Sequence, residues 1–298
     1  MEFIRSVLVN DVTPAADGDF SYDLPSNPLS HIMLTIKGLN VTNEATLAEI
    51  LQMISNVTVS HLGQSIVNMS AEDLYAYNCL LFGRAPVFTN LVATDDATRA
   101  VSLVIPFGRR IFDPAECFPA VQRGDFQLKV TVDIANAGID GLILQAETVE
   151  LLGANPARYL KATTLSSTPA ATGAHDVPLP IGHPYIGILL FGTTYPTGTV
   201  WTATINEAQL LADNIQKGYT QANWESMHGD LIHRCGHVLG GTDAWTDDVI
   251  PAYALMDFDP NRDDNFLIET AQMSTFLLRV DAGDTNVLRA IPLELVKT

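Results

Sequence analysis

The sequence predicts an all-β chain in which one antiparallel sandwich occurs twice. Three pairs of similar segments carry this prediction, and the members of each pair lie about half of the 298 residues apart. The pairs are centred on Ile36 and Leu189 (153 positions apart), Asp113 and Asp259 (146 apart), and Leu128 and Leu277 (149 apart). Two copies indicate a tandem duplication, because a solenoid needs about three repeats or more.

The first body is predicted to span residues 31–152 and to consist mainly of strands. Residues 54–60 alternate between apolar and polar side chains, and together with 65–69 they predict a hairpin. Further strands are predicted at 31–37, 100–105, 126–134 and 141–151.

Short helices are expected between these strands. Ser70 with an acid at position 73 is a helix start, and it leads into a helix predicted over 74–82. Gly83 can end that helix. Residues 46–54 fit either a short helix or a strand.

Two segments predict breaks in the sandwich pattern. Residues 1–30 contain three prolines and several aspartates with few apolar residues, which predicts an N-terminal arm whose short apolar pieces could pair with a neighbour's sheet edge. Residues 153–181 contain four prolines and a Thr-, Ser- and Ala-rich run, which predicts a linker.

The second body is predicted to span residues 182–298. Strands are predicted at 185–191, 200–205, 266–270, 274–280 and 286–296, and a helix at 206–216. Many short strands with one helix per half predict a sandwich, which a jelly-roll order of strands would close. The predicted fold is therefore two tandem eight-stranded antiparallel jelly-roll β-sandwiches with short helices between strands.

Composition excludes several classes of function. The net charge is −18 and Arg109-Arg110 is the only adjacent basic pair, so sequence-specific binding to nucleic acid is not expected. Charged residues make up only 17% of the chain, which fits either a surface covered by other subunits or a merely polar surface. No apolar run approaches a membrane span, and the three cysteines fit reduced thiols in a protein made in a cytoplasm.

The sharpest candidate for chemistry is a cluster of metal-ligating residues. His233, Cys235 and His237 would share one face of a strand, and His228 or Asp230 could complete a zinc site. The alternative is a polar loop, because glycines surround the cluster and no spacing matches a strong zinc signature. We predict no catalytic residue, cofactor or metal. The first alternative function is a cupin-like metal enzyme, in which His233, Cys235 and His237 would be the metal ligands.

A second alternative is a carbohydrate-binding protein or enzyme built on the same sandwiches. Such a function needs clustered aromatic residues beside paired acids, and Trp224, Trp245, Asp247 and Asp248 are the candidates. Calcium binding at a loop acid pair, 247–248 or 263–264, is a weaker interpretation, since adjacent carboxylates on an extended chain point apart.

The first half resembles the major capsid proteins of tailless icosahedral viruses, the adenovirus-hexon-like lineage with two jelly rolls per chain. The resemblance lies in Val101–Pro114, Cys117–Pro119 and Gly124–Val132, with Leu34–Asn40 and Ile54–Val59 upstream. In that family a strand ends in a Pro-Phe-like turn, a loop carries Asp-Pro, and the next strand alternates. The second half resembles the family in topology only.

The resemblance implies a structural capsid protein and not an enzyme. Three chains would form a trimer of pseudo-hexagonal outline, and these trimers would tile an icosahedral virion shell. The implied partners are other copies, neighbouring capsomers, penton or minor capsid proteins, and an internal viral membrane of the kind that many bacteriophages of this lineage enclose. The implied location is the virion capsid, after synthesis in the host cytoplasm.

Overall fold

The computed structural model describes residues 2–41, 45–84, 86, 88–89, 95–134, 139–197, 201–235 and 249–298. It divides into two compact units. The first contains the described residues up to Lys161 together with Cys235, Val249 and Lys297–Thr298, and the second contains those of Ala162–Arg234 and Ile250–Val296.

The first unit contains two antiparallel sheets. Its strands are β1 (Glu2–Val12), β2 (Gly18–Asp23), β3 (Leu29–Asn40), β4 (Ile54–His61), β5 (Gln64–Met69), β6 (Phe88–Thr89), β7 (Thr98–Pro106), β8 (Phe126–Val132), β9 (Ile139–Leu152) and the first part of β10 (Arg158–Thr163). One sheet has the order β1-β9-β3-β7-β6, and the other has the order β10-β5-β4-β8-β2.

The second unit repeats this arrangement. Its strands are β11 (Leu165–Ser167), β12 (Gly173–Pro178), β13 (Tyr185–Gly192), β14 (Ile205–Ala212), β15 (Ile215–Gln216), β16 (Ala222–Asn223), β17 (Tyr253–Asp257), β18 (Phe276–Ala282) and β19 (Leu288–Lys297). One sheet has the order β11-β19-β13-β17. In the other, β12, β18 and β14 are neighbours, and β15 and β16 both pair with β14.

The strand orders of the two units correspond one to one. The order β1-β9-β3-β7 matches β11-β19-β13-β17, and β2-β8-β4-β5 matches β12-β18-β14-β15. These are the two four-strand sheets of a jelly roll, in which two Greek keys alternate between the sheets. The structure therefore confirms the predicted fold class of two tandem jelly rolls.

Matching turns support the duplication at the level of the backbone. The β4–β5 hairpin turns at Leu62 and Gly63, with φ of 50° and 79°, and the β14–β15 hairpin turns at Asp213 and Asn214, with φ of 49° and 64°. Positive φ at both turn residues is typical of the type I′ hairpin. The two units thus use the same turn at the same topological position.

The strands β8 and β18 correct the predicted register of the repeat. Each has seven residues and begins at a buried phenylalanine, Phe126 or Phe276, which are 150 positions apart. The buried counterpart of Leu128 is therefore Leu278, not Leu277 as predicted. The difference matters because a shift of one residue moves every side chain of a strand to the other face.

The predicted N-terminal arm over residues 1–30 is wrong, because both of its apolar segments are integral strands. The strand β1 pairs with β9 from Glu2 opposite Leu152 to Val12 opposite Leu144, and β2 pairs with β8. The prolines that suggested an arm lie between these strands, where they remove no ladder hydrogen bond.

The predicted linker over residues 153–181 is also wrong in its structure, since it contains β10, β11 and β12. Three small or branched residues of these strands, Leu160, Ala162 and Val177, are buried and supply the apolar surface that the composition seemed to lack. The second jelly roll therefore begins before residue 182, because β11 and β12 belong to its sheets.

The predicted helix over 206–216 is wrong, because this segment forms β14 and β15. Pairing of β14 with β18 on one side and with β15 and β16 on the other decides the structure, as tertiary context commonly overrides local helix propensity.

The predicted strand at 266–270 is reduced to one bridge, in which Ile268 and Tyr185 exchange backbone hydrogen bonds of 3.0 and 3.2 Å. Of the strand predicted at 200–205, Val200 lies outside the described residues, and only Ile205 is in a strand.

The described helices are α1 (Leu47–Gln52), α2 (Ala71–Phe82), α3 (Trp224–Cys235) and the 3₁₀ turn Ile250–Ala252. The predicted helix is confirmed by α2, since Ser70 Oγ accepts from Asp73 N–H at 3.1 Å and Gly83 ends the helix with a φ of 66°. The alternative left open at 46–54 is a helix, α1, with a capping box between Thr46 and Glu49. Among the described residues, no helix is both long and apolar enough to cross a membrane.

Each sandwich has its own aromatic core. In the first unit, Phe118 stacks on Phe126 with ring centroids 4.2 Å apart, and Phe107 packs against both. In the second unit, the ring of Tyr185 meets that of Phe276 edge to face at 5.2 Å. Such pairs contribute about 0.5–1.5 kcal/mol beyond their buried area.

Candidate assembly surface

The two metal candidates that the structure describes, His233 and Cys235, do not lie on a strand. His233 and Cys235 are in α3, where residues two positions apart are rotated by about 200° and so do not share a face. His237 lies outside the described residues. His228 already has a partner, since its Nδ1 is 2.6 Å from the backbone oxygen of Tyr253. The described part of the chain contains no group of three or more His, Cys, Asp or Glu side chains placed to hold a metal ion.

The candidates for carbohydrate binding are not brought together in the described residues. Trp224 is only 2% exposed and belongs to the core of the second unit. Trp245, Asp247 and Asp248 lie outside the described residues. Asp263 holds its own loop, because its carboxylate accepts hydrogen bonds from the backbone and side chain of Asn265.

The strand β1 presents large apolar side chains to solvent. Phe3 and Val7 are each 60% exposed, and Ile4 is also exposed. Among the described strands β1 pairs only with β9, so its other edge is open. An exposed apolar edge strand of eleven residues promotes pairing with another chain.

Phe112 extends this apolar surface from the connection between β7 and β8. Its ring meets that of Phe3 edge to face, with centroids 5.4 Å apart, and it is itself exposed. Phe112 has a φ of 64°, an uncommon conformation for an aromatic residue, and its N–H donates to Ser30 Oγ at 2.8 Å. We call Phe3, Ile4, Val7 and Phe112 the β1 patch.

A buried histidine lies beneath the β1 patch. The ring of His31 is 5.2 Å from that of Phe112, and its Nδ1 is 3.0 Å from Ser30 Oγ. Burial, together with the nearby charge of Arg5, lowers the pKa of His31 to about 4. Arg5 itself is paired with Glu147 at 2.5 Å. His31 is therefore neutral at pH 7, where it packs as an aromatic residue.

A buried ion cluster holds the connection between β7 and β8, the connection that also carries Phe112. Glu116 accepts from Arg109 Nε at 3.0 Å and from Arg158 Nε at 2.8 Å, and its Oε1 also pairs with Arg109 Nη2. Burial alone would raise the pKa of Glu116. The hydrogen bonds and charge of Arg109, with the charge of Arg158, outweigh that effect and hold the pKa below its usual value.

A glycine makes this cluster possible. A Cβ at Gly108 would lie 2.1 Å from the backbone oxygen of Glu116, so no other residue fits without a backbone shift. Close backbone approach of this kind is one of the uses of glycine.

The second unit has exposed apolar residues of its own. Ile215, in β15, is 72% exposed, and Trp201 and Phe266 are also exposed. Within the described chain, the outer side of β15 has no neighbouring strand. Among its described strands, the second unit therefore also has an open sheet edge that carries an apolar side chain.

Sequence reasoning missed both the β1 patch and the ion cluster. The apolar residues Phe3, Ile4 and Val7 were visible as short strand-like pieces, but nothing local indicated that they pair with residues about 145 positions later. The adjacent pair Arg109-Arg110 was the only signal for the cluster. It did not reveal which of the two arginines is buried.

Comparison with known proteins identifies the fold. No family model matches the sequence, and no curated protein does. Many solved structures match the chain, and three that cover nearly all of it serve as examples. The Sulfolobus turreted icosahedral virus structure gives a TM-score of 0.73 at 12% identity, covering 100% of this chain and 91% of that chain. The major capsid protein of bacteriophage PM2 gives 0.69 at 14%, covering 100% and 98%.

The third example is the capsid of the virus PBCV-1, with a TM-score of 0.65 at 10% identity, covering 99% of this chain and 94% of that chain. The chain thus has the double jelly-roll fold of viral major capsid proteins. This confirms, as a likeness of fold, the resemblance found in the sequence.

Proposed function

We propose that the chain is the major capsid protein of a tailless icosahedral virus. The observation that carries the proposal is that both jelly rolls align together with capsid proteins and little of either chain remains unmatched. The role is structural and not catalytic.

The duplicated fold supports a trimeric capsomer. Two similar jelly rolls per chain give six per trimer, which supplies a pseudo-hexagonal outline from three copies. The low proportion of charged residues, 17%, suits surfaces that other subunits cover. The open apolar edges β1 and β15 are surfaces of this kind.

The remaining partners belong to the same proposal. A closed shell needs neighbouring capsomers and penton or minor capsid proteins, and the protein would act in the virion after synthesis in the host cytoplasm. An internal viral membrane is a further proposed partner. Flotation of the purified protein with lipid vesicles tests that partner separately.

The mass of the purified protein in solution tests the proposal. One chain is 32.3 kDa, so light scattering after size-exclusion chromatography should give about 97 kDa for a trimer. Electron microscopy of the same fraction should show particles of hexagonal outline, or assembled shells. Because each copy carries a charge of −18, the measurement should cover a range of salt concentrations that includes strong screening. A protein that stays monomeric across that range would refute the proposal.

A further inference from the structure

A cavity of the first unit lies beside β1 and contains a buried carboxylate. Its volume is 410 Å³, and its lining includes residues 6–8 of β1, residues 23–26 between β2 and β3, and Thr148 and Glu150 of β9. All of its lining residues belong to the first unit. Sites for small molecules are typically about 300–1,000 Å³ in volume. The cavity is therefore large enough to bind a small molecule or one side chain of another protein.

Glu150 supplies the buried carboxylate, and it has no cationic partner among the described residues. Only 6% of Glu150 is exposed. Its Oε2 accepts from Asn27 Nδ2 at 2.7 Å, and its Oε1 accepts from Ser6 Oγ over a long 3.4 Å. Both donors are neutral. Because a buried charge is costly unless an opposite charge compensates it, the cavity favours a cation near Glu150.

The other lining residues favour an ammonium group on an alkyl chain. Asp23 adds a second carboxylate, and Arg123 is the only basic residue among the described lining residues, so acidic groups outnumber basic ones. Arg123 forms no ion pair with Glu150 or with another described residue. Leu8 and Leu24 add apolar surface. Lysine side chains pack in this way in proteins, with the hydrocarbon chain along apolar surface and the ammonium group in a polar environment.

We infer that this cavity binds an ammonium group through the carboxylate of Glu150. The ammonium group donates to Oε1, the oxygen with the weaker partner, and its alkyl chain lies against Leu8 and Leu24. A charge-assisted hydrogen bond of this kind is stronger than a neutral one. Two sources have this chemistry, a free alkylamine and a lysine side chain of a second copy. The site lies within one jelly roll, so the inference goes beyond the proposed capsid role and does not depend on it.

Calorimetric titration of the purified protein with putrescine tests the free amine. The titration is made at low ionic strength, where screening is weak. Putrescine should bind, whereas butanediol, which has the same chain length and no charge, should not. Glu150→Gln keeps the shape of the side chain and removes its charge. With unchanged circular dichroism, this variant should bind putrescine at least tenfold more weakly, which corresponds to about 1.4 kcal/mol.

Glu147→Gln is the matched control. Glu147 is in the same strand as Glu150, but three positions away, so it faces the other side of the sheet. Its carboxylate pairs with Arg5. Each variant raises the net charge by one, so general attraction between the acidic protein and a cation changes equally in both. Only Glu150→Gln should lose putrescine binding. An equal loss in both variants would overturn the inference, because bulk charge would then explain the binding.

Arg123→Gln distinguishes a site for a cation from a site for an anion. Arg123 is exposed, so its replacement should not disturb folding. The variant removes a like charge from the lining and should bind putrescine at least as tightly as the original protein. A site for an anion would instead lose its only basic lining residue. Weaker putrescine binding by Arg123→Gln would contradict the inference.

Carbodiimide cross-linking tests the lysine of a second copy. The reagent joins a carboxylate and an ammonium group in contact as an amide, with loss of water. In a mixture of unlabelled and nitrogen-15-labelled protein, mass spectrometry should find Glu150 joined to a lysine of the other copy, and Glu150→Gln should lose that peptide. Either this cross-link or putrescine binding that depends on Glu150 supports the inference and identifies the source. A protein that shows neither would overturn the inference, while light scattering would still decide the proposed function.

Discussion

Replacing Glu116 by glutamine should destabilise the first jelly roll strongly. Glu116 is 6% exposed and holds Arg109 and Arg158 together. Glu116→Gln keeps the size of the side chain but removes its charge. Both guanidinium groups then lose their ion pair with Glu116. The connection between β7 and β8 loses its anchor.

The expected cost follows from the burial of the cluster. Breaking a buried ion pair by removing one partner costs about 3–5 kcal/mol, because a charge is left uncompensated. A domain is typically stable by only about 5–15 kcal/mol. With a urea dependence near the upper end of the usual range, about 3 kcal/mol per molar, the unfolding midpoint should fall by about 1 M or more.

Acid should reduce the difference in unfolding free energy between Glu116→Gln and the original protein. The pKa of Glu116 is lowered in the folded state, so its contribution is present above the unfolded value of 4.5. That contribution is lost as the pH falls through the folded pKa. The gap in stability should thus be largest near pH 7 and narrow in acid.

The control is an ion pair of similar geometry on the surface. Arg279 donates to Asp176 at 2.6 and 2.7 Å, but both side chains are well exposed. Because solvent screens exposed pairs, Asp176→Asn should leave the urea midpoint nearly unchanged. Equal midpoints for Glu116→Gln and Asp176→Asn would show that burial does not set the strength of the Glu116 cluster.

Three further predictions concern single residues. The original protein should lose about 3 kcal/mol of unfolding free energy between about pH 6.5 and pH 4, because His31 is protonated in the unfolded chain before it is protonated in the folded protein. His31→Phe should remove this loss, and urea unfolding across the same pH range measures it. Gly108→Ala should destabilise the protein because of its 2.1 Å clash, whereas Gly229→Ala, in an open helix position, should stabilise it by about 0.5–1 kcal/mol; opposite shifts in melting temperature check both. Asn78→Leu should cost about 2–4 kcal/mol in urea unfolding, because its amide bonds a backbone N–H and C=O of β7 at 2.7 Å each; a neutral result would contradict this.

The parts of the fold that sequence predicts well carry a strong local signal. The strand β8 alternates buried and outward residues along its whole length, and α2 has both a serine cap and a terminal glycine. The alternation of side chains in β8 and the capping residues of α2 are local features that are sufficient to predict these elements. Their outlines could therefore be predicted from the residues alone.

The parts that sequence predicts poorly depend on distant pairing. The strand β14 has leucines at positions that suit a helix, and its pairing with β18 makes it a strand instead. The strand β1 has mostly exposed side chains, so it lacks the alternation that marks a half-buried strand. Long-range hydrogen bonding decides both cases, and no local window of sequence contains it.

The same reasoning explains why the candidate surface could not be predicted in detail. The β1 patch unites Phe3 with Phe112, which are far apart in sequence and meet only when β1 is paired. The misplaced repeat partner Leu277 shows how sensitive such inference is, since one position separates a buried residue from an outward one. Pattern thus indicates that two jelly rolls exist, and packing decides which residues they expose.

The exposed edge of β1 needs a physical explanation. In a single jelly roll, an open edge such as β1 is a hazard that natural sequences usually block with charge or a bulge. Here β1 does have register shifts after Val7, but its apolar residues before that point remain exposed. The proposed capsomer would bury these side chains against other copies, so an exposed apolar edge is consistent with a chain that functions only after assembly.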